Sequence, residues 1–350
     1  IEDDALVRGQ LAAIYQQTGD TAAAITEYER AASLDPVEPR YQVRLGGLYA
    51  GRGELIKAEA AYRAALAIDA ENAEAHAGLA DAAYRQCSIS SAVQSMATAA
   101  ALLPAYRGRL AGLYEAQGRD EDAEAIYTEL AALPAEEWLA QLTVADHLFR
   151  QDRWDDAQRA YQKLLEAGSA PVGYVTSLIH TALGQIDSAR DRLFAARGEF
   201  EQALAAYDAN ADATAGLGDL ALRAGDATTA LALYDAGLSQ IPRYLAGMPA
   251  ENAAGAAVLL HVRRSLALAR QESTDAAAAA LDAALAEAQG AVALTPRSPV
   301  AQYALAAAHL ARGETVEAEA AFARAGECDR TMLAARARLE TGLAKLQPPQ

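Results

Sequence analysis

A small residue followed four positions later by a large one recurs along this chain at a nearly fixed interval, and that recurrence limits the fold more than any other feature. Ala24, Ala58, Ala92, Ala123, Ala157, Ala203, Ala230 and Ala318 are followed by Tyr28, Tyr62, Met96, Tyr127, Tyr161, Tyr207, Tyr234 and Phe322. Twelve residues before most of these alanines stands another small residue: Ala12, Gly46, Ala80, Ala111, Ala145, Gly218 and Ala306. The step is 34 from Ala24 to Ala58 and again to Ala92, and Ala123 to Ala157 repeats it. A glycine falls between the two small residues at Gly19, Gly53, Gly118, Gly198, Gly225 and Gly313, and a proline closes the unit at Pro36, Pro104 and Pro242.

Physical chemistry assigns each position a role. Two helices cross closely only where no bulky side chain separates them, which keeps Ala12 and Ala24 small. Tyr15 and Tyr28 fill the space beside them with rigid rings that cost little rotamer entropy. Gly19 takes the left-handed backbone that ends a helix, and Pro36 stops the next one. Ala and Leu, the best helix formers, dominate, and β-branched residues are sparse, so no strand is expected.

This pattern strongly resembles the tetratricopeptide repeat family, a helix–turn–helix unit of 34 residues. The resemblance implies an all-α, right-handed superhelical solenoid of about eight or nine units that share one continuous core. Its final segment, TMLAARARLETGLAKL, reads as a helix that caps the last unit.

The period breaks twice. From Ala157 to Ala203 the step is 46, then 27 to Ala230, with a breaker cluster between Gly168 and Pro171 and an apolar helix near 172–183. Five helices are counted between Trp138 and Asn210, which leaves one unpaired or irregularly paired, and a kink in the superhelix is expected there. Ala230 to Ala318 spans 88 residues, 20 more than two units, and holds two long helices near 250–271 and 274–293 whose ends should project from the solenoid wall. The chain therefore divides into an N-terminal array (1–171), irregular repeats (172–242), an inserted long-helix hairpin (243–298), and a last repeat with its capping helix (299–350).

Composition narrows the function. A formal charge of −17 without a basic stripe argues against nucleic acid as a partner. Of 30 basic residues only Lys57, Lys163 and Lys345 are lysines, which with abundant Ala suggests a bacterial source. Cys87 and Cys328 lie far apart, with no ligand spacing, and read as buried small residues rather than a disulfide framework. No apolar run is read as spanning a bilayer, because AAGAAVLLHVRRSLALA is broken by His261, Arg263 and Arg264. The chain opens with Ile1, so the bacterial cytoplasm stands open as its compartment, and so, if a leader was removed, do the periplasm and the exterior. The N-terminal end carries no cap of its own, and upstream chain or a docking partner is expected to cover it.

No catalytic constellation, cofactor motif or metal-ligand set emerges. His76, His147, His180, His261 and His309 fall in five different helices without paired ligands. GGLYAGRG lacks the Lys and Ser/Thr of a phosphate loop, and GLGDL follows no strand. The chain reads as a non-enzyme.

Members of the family bind partners in the concave groove lined by the first helix of each unit. The Lys/Asn clamp of the chaperone adaptors is absent, since the matching positions hold Gly9, Ala13, Val43 and Gly47. Candidate groove residues are Asp81, Tyr84, Arg85, Leu142, Asp146, Phe149, Arg150, Asp219 and Tyr303. The leading expectation is an interaction scaffold or adaptor that holds a protein segment in this groove or on the hairpin. The alternatives are a structural subunit that assembles with itself or within a larger complex, and the recognition region of a larger enzyme.

Overall fold

The structure, a computed structural model, describes residues 4–134, 136–168 and 171–347. Among them are nineteen α-helices and no strand. Eighteen of the helices pair into nine helix–turn–helix units. The first three are α1 (Ala5–Gln17) with α2 (Thr21–Leu34), α3 (Pro39–Gly51) with α4 (Leu55–Ile68), and α5 (Ala73–Arg85) with α6 (Ile89–Leu102). Next come α7 (Arg107–Gln117) with α8 (Asp120–Ala131), α9 (Trp138–Arg150) with α10 (Trp154–Ala167), and α11 (Tyr174–Ala189) with α12 (Leu193–Ala206). The last are α13 (Ala211–Arg223) with α14 (Ala227–Tyr244), α15 (Ala250–Arg270) with α16 (Thr274–Leu294), and α17 (Pro299–Ala311) with α18 (Thr315–Cys328). A single helix, α19 (Thr331–Leu346), follows them. The units stack into a right-handed superhelical solenoid.

The small-and-large rule holds inside the units. Ala24, Ala58, Ala92, Ala157 and Ala230 are fully buried, and beside them Tyr28, Tyr62, Met96, Tyr161 and Tyr234 expose 6% or less. Gly46 and Gly218 of the first helices have no room for anything larger. A Cβ on Gly46 would lie 2.6 Å from the Tyr62 ring, and one on Gly218 would lie 2.5 Å from Tyr234.

The turns show why the period was misread between Ala157 and Ala230. Each unit turns through one residue of positive φ: Gly19, Gly53, Cys87, Gly118, Asp152, Asp191, Gly225, Glu272 and Gly313. Four of these are not glycine, so following glycine alone loses the register. The turn expected at Gly198 lies at Asp191, and Gly198 sits inside α12. The true small–aromatic pair of that unit is Ala196 and Phe200, facing Gly184, whose Cβ would lie 2.6 Å from the Phe200 ring. Ala203, also fully buried, is two helical turns further along the same face, which is what made it look equivalent. The step from Ala157 to Ala196 is 39, so the register break is an insertion of a few residues. Four helices, not five, lie between Trp138 and Asn210, and none is unpaired. A core cluster runs unbroken from Ala145 and Tyr161 into Ile179, Leu183 and Ile186 of α11. Pro242 does not close its unit either, because it lies within the last turn of α14.

α15 and α16 have 21 residues each, against 13 or 14 in most other unit helices. The surplus lies away from their turn at Glu272, adding about two turns, or about 10 Å, to each helix. By length and hydropathy alone α16 would span a membrane, with a mean hydropathy of 1.3 over its best window, so the reading that no apolar run suffices needs correction. Here its stripe of Ala280, Ala284, Ala288 and Ala291 is buried in the solenoid.

Candidate functional site

The solenoid curls far enough for its two arms to meet. The turn at Gly53 packs on Leu294 and Thr295 at the far end of α16. At the far end of α15, Glu251 receives two bonds from the Arg85 guanidinium, at 2.5 and 2.8 Å, and both side chains are almost wholly buried. Arg85 also donates to the Ala50 carbonyl at 2.6 Å, at the end of α3. The surplus turns of the long helices are therefore a strut against the N-terminal arm.

Beside this ion pair, Cys87 and Cys328 form a disulfide with Cα atoms 5.0 Å apart across 241 residues of sequence. The two cysteines are thus not merely buried small residues. Cys87 occupies the slot that Gly19 and Gly53 hold in the preceding units, at φ 59°. The Tyr84 hydroxyl donates to Asp329 at 2.6 Å next to the disulfide. Burial, joined by the Asp329 carboxylate, pushes the Tyr84 hydroxyl well above its ordinary pKa.

α19 continues from this point along the seam. It does cover the last unit, where Leu339 packs beside Phe322, but it does not end there as a simple cap. Leu343 packs against Val258 and Val262 of α15, and Leu346 joins the core of α13 and α14. Its Arg338 donates to the Arg150 carbonyl at the end of α9 at 2.9 Å, and Lys345 to the Ala189 carbonyl at the end of α11 at 2.9 Å.

The nine residues expected to line the groove meet different fates. Arg85 and Tyr84 are taken by the opposite arm. Tyr303 donates its hydroxyl to the Ala335 carbonyl of α19 at 3.0 Å. Asp146 and Asp219 accept from the tyrosines of their own units, Tyr161 at 2.6 Å and Tyr234 at 2.8 Å, and Asp219 also pairs with Arg263. Burial raises the pKa of Asp146, opposed by the Tyr161 hydrogen bond and Arg150. Leu142 and Phe149 pack at the edge of the core around Tyr161. Asp81, exposed, pairs with Arg109 of α7.

Arg150 completes a polar network that the sequence reading missed. Its guanidinium and the Tyr127 hydroxyl both reach Glu115 at 3.0 Å, and His147 reaches the other Glu115 oxygen at 2.9 Å while its ring stacks on Tyr127. Burial alone would raise the Glu115 pKa, but these donors outweigh it and hold the carboxyl at about 2. On the concave side of this network, Gly108, Gly112, Asp146 and Arg150 line a cleft of about 320 Å³ between α7 and α9, bounded by Thr331 at the start of α19. For the Asp146–Tyr161 and Asp219–Tyr234 pairs, the signal available in sequence was their shared spacing of 15.

A sequence profile described as tetratricopeptide repeat matches residues 10–73, 181–244 and 253–331, and a second profile of the same description matches 105–137. The chain belongs to the tetratricopeptide repeat family. Among solved structures it is similar to a tetratricopeptide repeat protein from Parabacteroides merdae, at 14% identity and a TM-score of 0.52, covering 67% of this chain and 93% of that one. It is also similar to the human IFIT1 dimer with m7Gppp-AAAA, at 16% identity and a TM-score of 0.51, covering 93% of this chain and 90% of the other. At these identities the likeness is one of fold. A search among curated protein sequences finds no match. This tetratricopeptide repeat chain thus has the fold of an interaction scaffold.

Proposed function

We propose that the chain is a non-catalytic scaffold that holds a segment of a partner protein against the concave faces of α7, α9, α11 and α13. The observation that carries this reading is α19 itself, a helix already gripped along one edge of that surface through side chain–backbone contacts. Asp81, Leu142, Phe149 and the cleft beside Arg150 are the parts of the expected groove not taken by the opposite arm or by α19. Asp146 and Asp219 act here as supports for Tyr161 and Tyr234. The m7Gppp-AAAA named with the human IFIT1 structure is not carried over, because a net charge of −17 disfavours a phosphate-bearing ligand.

Native-source capture followed by hydrogen-exchange footprinting of the recovered complex tests the scaffold reading. Protection on the concave faces of α7 to α13 supports it. Protection confined to the second helices of the units, or failure to recover a stoichiometric protein partner, removes it.

A second reading, assembly through the first unit, rests on α1. Its outer face exposes Leu6, Val7 and Ile14 at 56, 46 and 55%. Light scattering that finds only monomer up to high concentration removes the self-assembly form of that reading.

A further inference from the structure

The contacts of α19 follow a rule that the rest of the molecule explains. The last carbonyls of a helix carry partial negative charge and lack intrahelical donors, so a cation placed on them is favourable. In several units the following first helix provides it: Arg85 on Ala50 of α3, Arg223 on Ser188 of α11, and Arg270 on Leu222 of α13. Among the described residues, α7 and α9 receive no such arginine from the next first helix. Arg150, which stands where α9 could serve α7, is turned to the Glu115 side chain instead.

The chain around α19 reaches both of these ends, and also that of α11, which Arg223 already serves. At α7 the Arg330 backbone N–H donates to the Ala116 carbonyl at 3.0 Å and its guanidinium reaches the Gly118 carbonyl at 3.5 Å, Arg338 serves α9, and Lys345 joins Arg223 at α11, with Asp191 3.6 Å from its ammonium group. Arg330, Arg338 and Lys345 are eight and seven residues apart. In a helix that is about 12 and about 10 Å, close to the spacing of neighbouring packed helices.

α19 is also thinly held. Leu346 is its one buried residue among those described, Leu333 is 53% exposed, and no side chain of its N-cap residue bonds its first turn. α13, by contrast, buries eight residues. What fixes α19 most firmly lies at its start, where the Cys87–Cys328 disulfide and the Tyr84–Asp329 bond tie it to the other arm.

We propose that α19 is an intramolecular stand-in for a partner helix, and that the row of first-helix ends from α7 to α11 accepts, in its place, an amphipathic helix with cationic side chains seven or eight residues apart. The inference rests on the scaffold reading above and names the chemistry of its ligand. The disulfide keeps the stand-in seated. A dithiol opens it: one thiolate attacks the Cys87 sulfur, and Cys328 leaves as a thiolate that takes a proton. The second thiol of the reductant then displaces Cys87 from the mixed disulfide. Two electrons and two protons pass to the cysteines, and the reductant departs as its own disulfide.

The test uses the full chain and, as probe, a labelled peptide of residues 331–346 read by fluorescence anisotropy. The oxidised chain should bind it weakly. The chain reduced with dithiothreitol, the Cys87→Ser variant and the oxidised Arg338→Ala/Lys345→Ala variant should each bind at least tenfold tighter. A probe carrying the same two alanines should lose at least tenfold in affinity. Hydrogen exchange on α19 keeps the result interpretable. If α19 stays protected in all three altered chains, or is released and the probe still fails to bind, the proposal is overturned. A native partner footprinted on the concave faces while the probe fails would leave the scaffold reading standing and remove this inference alone.

Discussion

The interior of each unit and the seam between the two arms are held by different physics. Inside a unit the contacts are short in sequence and mostly apolar: an alanine or glycine, an aromatic ring 16 residues on in the case of Ala145 and Tyr161, and a hydroxyl that finds one carboxylate. Across the seam the contacts join residues 156 to 245 positions apart, and apart from the packing of the Gly53 turn on Leu294 and Thr295 they are mostly polar: charges, carbonyl oxygens, the Tyr84 hydroxyl and one disulfide. Local packing specifies the fold unit by unit, as in any stacked repeat. The seam decides how far the superhelix curls and ties units together that would otherwise unfold piecemeal.

The largest expected effect separates the two directly. Reducing Cys87–Cys328 frees a loop of 241 residues, which chain entropy values at about 5 kcal/mol of stability. Denaturant unfolding of the oxidised chain should show one main transition, and the reduced chain should unfold earlier and in more than one step. Equal midpoints would mean the disulfide closes nothing.

Glu251→Ala comes next. It leaves the Arg85 guanidinium buried without its partner and should cost about 3–5 kcal/mol. The Arg85→Met/Glu251→Met pair should recover most of that loss, as a double-mutant cycle can verify.

The Glu115 network gives a pH signature confined to the N-terminal arm. Its folded pKa of about 2 lies below the ordinary glutamate value. The stabilisation, on the order of 2–3 kcal/mol, is present above about pH 4.5 and fades as pH falls toward 2. Thermal melts between pH 2 and 6 should flatten in Glu115→Gln.

A unit interior responds differently again. Gly218→Leu should drive into the Tyr234 ring and cost about 1–3 kcal/mol, while the two cysteines stay paired and resist alkylation. The smallest effect is a gain. Glu272 turns at φ 59°, so Glu272→Gly should raise stability by about 0.5 kcal/mol, readable as a small upward shift of the melting temperature.

The same division explains what was legible in the sequence. The small–aromatic pairs announce themselves because packing repeats with the chain, and Ala24, Ala58 and Ala92 could be aligned by eye. The register was lost at Asp191, where a side-chain-bearing residue takes a backbone conformation usually left to glycine, as Cys87, Asp152 and Glu272 do at turns that the spacing still located. Aspartate tolerates that conformation, so Asp152 and Asp191 were readable in principle. The seam has no period. Its one sequence sign was Cys87 standing 34 residues after Gly53, where a turn residue was due. For the groove, the sequence names residues of the first helices but does not tell which are already spent on contacts within the chain. Asp146 and Asp219 turn to tyrosines of their own units, and Tyr303 is taken by a helix that the sequence places beyond the last unit.

Peptide mapping of the monomer, purified without reductant and alkylated before digestion, tests the closed solenoid most directly. The account predicts one cross-linked fragment containing Cys87 and Cys328, with neither thiol alkylated. Two freely alkylated thiols in a fully folded chain would mean that the arms do not meet and that the seam does not exist.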